Sequence, residues 1–129
     1  MPAPGTLRRW IRGALECDAV LTLRFVGVRE GRGLNRAFRG RDYATNVLTF
    51  DYAQAPNVEA DIVICVPVVK REARAQRKTL RAHLAHMVVH GTLHAQGYDH
   101  QRAADARRME GREIELLDAY GIPNPYDAG

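Results

Sequence analysis

His90-Gly91-Thr92-Leu93-His94-Ala95-Gln96-Gly97-Tyr98-Asp99-His100 holds three of the chain's five histidines, and the fold follows from how they are spaced. His90 and His94 are four residues apart, so on a helix both rings leave one face, about 6 Å apart along the axis. Gly97 accepts a positive φ at little cost, which stops the helix and turns the chain back. His100 then comes where the returning chain can place a third imidazole beside the first two. Three neutral nitrogens leave a fourth position open for water or substrate, the pattern of a catalytic rather than a structural zinc site. Spacing alone also fits packed or solvated histidines, because the pairs His86/His90 and His90/His94 overlap. The helix stop and the histidine beyond it single out His90, His94 and His100 as expected ligands of one divalent metal ion, with Zn2+ the ion expected.

Composition sets the outer bounds. At 129 residues the chain is expected to form one domain, residues 1–129, with a single adequate core. Charged residues make up 26% and hydrophobic ones 46%, which excludes a disordered or fibrous chain. The net charge is +4, and Lys70 and Lys78 are the only lysines, so the basic side chains are nearly all arginine. Such a balance permits an anionic partner, nucleic acid included, without demanding one. Cys17 and Cys65 form no C-x-x-C and read as small buried hydrophobes in a reducing compartment. The N-terminus lacks an apolar leader, and no run approaches the ~18 apolar residues of a membrane helix. A cytoplasmic protein with no membrane partner is expected.

Working outward, Leu80 to about Gln96 is the central helix, carrying Leu84, Met87, Val88 and the histidines. Before it, Pro67 suits the first turn of a helix running to about Lys78. Asp61 to Val66 is nearly all apolar, so it predicts a strand buried on both faces. Val20–Val26 and Asn46–Tyr52 are two more strands by their β-branched and aromatic content. Thr6 is a plausible N-cap for a helix to about Glu16. A glycine-rich stretch at 27–33 leads to a short helix near Leu34–Phe38, closed by Gly40. The last helix, about Ala103 to Tyr120, presents Met109, Ile114, Leu116 and Leu117 and stops at Gly121. Three or four strands with helices mostly after them make an α+β domain.

The skeleton H-x-x-x-H-x-x-G-x-x-H at 90–100 is the ligand spacing of metzincin metalloproteases. Those enzymes need a glutamate directly after the first histidine as general base, and here that position is Gly91. With glycine in that place, His90-Gly91-x-Leu93-His94-x-x-Gly97-Tyr98-Asp99-His100 resembles the signature of the bacterial YbeY family of metal-dependent endoribonucleases. The resemblance extends to Leu34-Asn35, Phe38-Arg39, Thr45-Asn46-Val47-Leu48-Thr49-Phe50 and Ala60-Asp61-Ile62-Val63-Ile64, and covers about residues 25–125 in order. Ala60 stands for the usual glycine, Thr49 for the usual serine, and Ala95-Gln96 for a commonly apolar pair. None of these departures touches an expected ligand.

The resemblance implies a zincin-like fold: a mixed three- to four-stranded sheet packed with helices, the metal site at the end of the central helix. It also implies a single-strand-directed endoribonuclease of ribosomal RNA maturation, acting at the 3′ end of the small-subunit RNA and in ribosome quality control. The implied partners are therefore single-stranded RNA, ribosomal RNA and the small ribosomal subunit. Arg39, matching the family's arginine, is the candidate for a guanidinium contact to the scissile phosphate, since electrostatic stabilisers dominate phosphoryl chemistry. The catalytic set is then Arg39, His90, His94 and His100. No general base is visible; Asp99 is the nearest carboxylate, with a turn contact an equal alternative. His86 is a ligand-supporting or a packed histidine, and Arg71, Arg74, Arg77 and Arg81 form either a face for RNA or solvated helix charge. A metallohydrolase of another substrate, peptides included, and a non-catalytic ribosome-assembly factor with a structural metal are the other classes to test.

Overall fold

The structure is a computed structural model that describes residues 1–127. Its elements are α1 (Pro4–Ala14), β1 (Asp18–Val26), α2 (Val28–Arg39), β2 (Val47–Ala53), β3 (Asn57–Cys65), α3 (Val66–Ala75), α4 (Leu80–Ala95) and α5 (Ala103–Ala119). The class is α+β as expected, with a mixed sheet of three strands in the order β1-β3-β2.

β3 lies in the centre, parallel to β1 and antiparallel to β2. Its apolar run is explained by the two layers it separates. Ile62 and Ile64 join Leu84, Val88 and Leu93 of α4 in the main core. Val63 and Cys65 point the other way, into a second cluster with Val26, Leu48 and Val68, against which Leu34 of α2 packs. Every residue from Ile62 to Cys65 is buried, as a strand covered on both faces requires.

α4 is buried almost all round. Eleven of its sixteen residues are inaccessible, so its apolar positions make no single stripe. The hydroxyl of the N-cap Thr79 accepts from the Ala82 amide at 3.0 Å, worth about 1 kcal/mol. Fully burying Leu84 or Leu93 contributes roughly 1.5–3 kcal/mol each, so core packing, more than capping, fixes the helix that carries the histidines. At Gly91 the helix comes so close to the sheet that an added Cβ would stand 2.7 Å from Ile62 Cγ2 and 3.4 Å from Val47 Cγ2.

Some boundaries differ from those expected. α1 starts at Pro4, with Pro in the first turn and Ala3 as a cap without a side-chain bond, so Thr6 lies inside the helix. α2 begins at Val28 rather than near Leu34. Gly31 and Gly33 suggested a loop, yet Gly31 is buried where a Cβ would stand 3.2 Å from Cys65 Sγ, a helix-to-strand approach that favours glycine. Gly40 caps α2 in the left-handed conformation, φ 67°. Both cysteines are free thiols, Cys65 buried and Cys17 partly so. No helix among the described residues is long and apolar enough to cross a membrane.

Candidate metal centre

Gly97 has φ +97°, a region open to glycine and strained for other residues. Its amide donates to the His94 carbonyl at 3.0 Å and that of Tyr98 to the Leu93 carbonyl at 3.2 Å, closing α4. The chain then turns back. Asp99 Oδ1 accepts from the backbone amides of His100, at 2.7 Å, and Gln101, at 3.2 Å. This carboxylate is therefore a turn former that sets the direction in which His100 leaves the backbone.

The three expected histidines do come together. Ring centroids are 6.4 Å apart for His90 and His94, 5.4 Å for His90 and His100, and 6.1 Å for His94 and His100. With metal–nitrogen bonds of about 2.0–2.1 Å, centroids around a tetrahedral ion stand roughly 5 Å apart, so all three pairs stand wider here than around a bound ion and would have to close in to ligate one. His90 and His94 are partly buried and His100 is exposed, so the triangle faces outward.

The tautomers suit ligation as well. His94 Nδ1 donates to the Tyr98 carbonyl at 3.0 Å. His90 Nδ1 donates to Glu113 Oε2 at 2.7 Å. Neither acceptor can donate a proton in return, so each ring carries a hydrogen on Nδ1, and in the neutral imidazole it is Nε2 that has a lone pair to offer. Metal-ligating histidines are commonly oriented in this way by a carboxylate or a carbonyl.

Glu113, from α5, is the functional residue that sequence reasoning passed over. It is fully buried, and its other oxygen, Oε1, accepts from His86 Nε2 at 3.0 Å and from the Tyr126 hydroxyl. Burial alone would raise its pKa; hydrogen bonds from His86 and His90, then charge interaction with His86 and the Tyr126 bond, outweigh burial and hold it at about 2. For Tyr126, burial and the bond to Glu113 push the phenol far above its usual range. A signal was available: Glu113 is four residues after Met109 and four before Leu117, at a core position of an amphipathic helix. His86, His90 and Glu113 also place one donor atom each within 4.8 Å of one another. By that distance these three could hold a metal ion, a spacing not found for the triangle of His90, His94 and His100, although His86 Nε2 and His90 Nδ1 are already hydrogen-bonded to the Glu113 carboxylate.

Arg39 and the three histidines line one cleft of about 430 Å³, together with Phe38, Asp99 and residues 45–50 of the loop and strand opposite. Arg24, Arg32 and Arg112 each pair with a carboxylate. Arg39 is in none of those pairs, is exposed, and is the only lysine or arginine among the described residues lining the cleft. Phe38, 66% exposed, meets Phe50 edge-on at 4.7 Å. Arg71, Arg74, Arg77 and Arg81 are exposed on and after α3 and line no part of this cleft. His83 is buried and bonded to Glu72 at 2.9 Å, away from the histidine triangle.

The model of the family described as "Endoribonuclease YbeY" matches residues 6–121. A protein of that name from Polaromonas naphthalenivorans is 60% identical over 122 residues, 94% of this chain and 81% of its own length. One from Verminephrobacter eiseniae is 59% identical over 120 residues, 93% of this chain and 78% of its own. A solution structure of a Thermotoga maritima protein, 23% identical, has the same fold with a TM-score of 0.63 over 99% of this chain and 93% of that one. The triangle of imidazoles beside a free arginine is thus found on a chain that belongs to the endoribonuclease YbeY family.

Proposed function

We propose that this chain, as one domain over residues 1–129, cuts single-stranded ribosomal RNA in the cytoplasm. Its expected role is 3′-end maturation of the small-subunit RNA and ribosome quality control, with the small ribosomal subunit as partner. The class of enzyme, a metal-dependent endoribonuclease, accords with family membership. The observation that carries the proposal is the cleft in which His90, His94, His100 and Arg39 face the same space.

In this proposal His90, His94 and His100 hold one Zn2+ through Nε2 of the first two and a ring nitrogen of the third. When bound, such an ion would activate water and offset charge on a phosphate oxygen, its +2 charge undiluted by three neutral ligands. Arg39 adds a guanidinium able to bind two phosphate oxygens and hold the diester in place. Asp99 keeps His100 in position through the turn. Phe38 offers a ring at the rim on which an unpaired base can stack, a contact that a paired base inside a duplex cannot make. That ring supports the preference for single strands.

Peptide hydrolysis is the poorer fit. Position 91, where a zinc peptidase carries its base, faces Ile62 and Val47 in the sheet and has no room even for a methyl group. A purely structural metal is disfavoured by the open side of the triangle, since structural zinc sites are closed by four protein ligands. The test is to incubate the zinc-loaded protein with single-stranded RNA, duplex RNA and a peptide library. Cleavage confined to single-stranded RNA and stopped by chelation is expected. Metal-dependent peptide cleavage would favour the peptidase, and no cleavage of any of the three substrates would favour the assembly factor.

A further inference from the structure

Glu113 is a lone carboxylate, fully buried, with three donors converging on it: His90 Nδ1 at 2.7 Å, His86 Nε2 at 3.0 Å and the Tyr126 hydroxyl. A buried charge without partners is very costly, and three hydrogen bonds offset that cost. The arrangement has a directional consequence. An ionised carboxylate only accepts, so the His90 proton must sit on Nδ1 and the lone pair on Nε2 faces the cleft. An amide in the same place could donate instead, and the imidazole could then turn over its tautomer and present N–H to the cleft.

Tyr126 comes from the C-terminal segment after α5, which is tied down at one more point. Lys78 Nζ, in the α3–α4 connection, donates to the Pro125 carbonyl at 2.9 Å, while within the segment the Tyr126 amide donates to Asn124 Oδ1 at 2.9 Å. The ring of Tyr126 meets that of His86 edge-on at 5.5 Å. The segment thus closes the side of Glu113 away from the cleft.

We propose that Glu113 and Tyr126 are positioning residues for His90, forming a relay through which the C-terminal segment sets how tightly the cleft holds its metal ion. The relay rests on the His90/His94/His100 ligand set proposed above. Glu113 locks the His90 tautomer, His86 occupies the second carboxylate oxygen, and Tyr126 holds the carboxylate in place. Partners of this kind typically change metal affinity by about 10–100-fold when removed.

The experiment measures zinc affinity by competition with a chromophoric chelator, and His90 tautomer from 15N chemical shifts of the zinc-free protein. It uses the full chain as wild type, Glu113→Gln, Tyr126→Phe and His94→Ala. Glu113→Gln is expected to weaken zinc by about 10–100-fold and to move His90 out of its Nδ1–H form. Tyr126→Phe, which removes one oxygen and leaves the ring packing, should weaken zinc by a smaller factor in the same direction. Unchanged affinity and tautomer in folded Glu113→Gln would overturn the relay. If Glu113→Gln does not fold, Tyr126→Phe decides: wild-type affinity there overturns the link to the C-terminal segment. His94→Ala separates the two levels, because wild-type zinc affinity in that variant would overturn the ligand set itself.

Discussion

Glu113 Oε2 lies 2.7 Å from His90 Nδ1, although the two residues are on different helices and 23 positions apart. The bond ties α5 to α4 at the edge of the cleft that His90 lines. Removing the carboxylate leaves the buried N–H groups of His86 and His90 unpaired, at about 1–3 kcal/mol each. Glu113→Ala should therefore lower the unfolding free energy of the metal-free protein by roughly 2–6 kcal/mol. Urea denaturation in a chelator measures this, and a loss below about 0.5 kcal/mol would show that the buried donors find other partners.

Gly91 is a steric requirement of α4. An added Cβ would stand 2.7 Å from Ile62 Cγ2, and Ile62 is itself fully buried in the central strand. Gly91→Ala should cost about 1–3 kcal/mol through overpacking and pull His90 out of line with the other two rings. The same approach means that Gly91→Glu tests packing before it tests protease chemistry. A denaturation midpoint for Gly91→Ala equal to that of wild type would contradict this close contact.

Arg39 is exposed and spends its charge on none of the ion pairs described above. Arg39→Ala should leave stability within about 0.5 kcal/mol of wild type and slow single-stranded RNA cleavage by on the order of 10². Arg39→Lys should recover only part of the rate, because an ammonium does not make the bidentate contact. A variant that unfolds easily yet keeps normal activity per folded molecule would make Arg39 structural.

His83 brings a pH dependence to stability. Burial is the largest influence and holds its pKa below the ordinary value, with the Glu72 hydrogen bond opposing it. In the unfolded chain the imidazole takes up a proton near pH 6.5, while the folded ring stays neutral to lower pH. Between those two values the unfolded state binds more protons, so stability falls as pH drops below about 6.5 and is level above it. Denaturation at pH 7.5 and 5.5 should show a smaller pH loss for His83→Gln than for wild type. Equal losses would show that His83 titrates alike in both states.

Much of this was legible in the sequence because it is local. The spacing of His90 and His94, the Gly97 stop and the return to His100 act within one segment, and the chain follows them. The apolar run at Ile62–Cys65 announced a central strand. What was hidden depends on contacts across the chain. Gly31 reads as a loop residue until Cys65 is known to pack on it. Glu113 reads as surface charge on a charged helix until His86 and His90 are seen to converge on it. Tyr126 is a short stretch from the end of the chain and carries no periodic signal; its role comes from where Pro125 and Lys78 anchor it. Gly91 reads in the sequence as a missing base, while its steric reason lies in the sheet beneath it.

The most direct test of the account is the metal content of purified His94→Ala beside His86→Gln, with RNA cleavage measured on the same samples. The two variants separate the outward triangle from the inner His86/His90/Glu113 group. With His90, His94 and His100 as ligands, His94→Ala should lose both the ion and single-stranded RNA cleavage. His86→Gln should still take up one ion at saturating zinc and retain cleavage. The opposite result, a full ion and normal cleavage in His94→Ala with both lost in His86→Gln, would contradict the account and place the metal in the inner group.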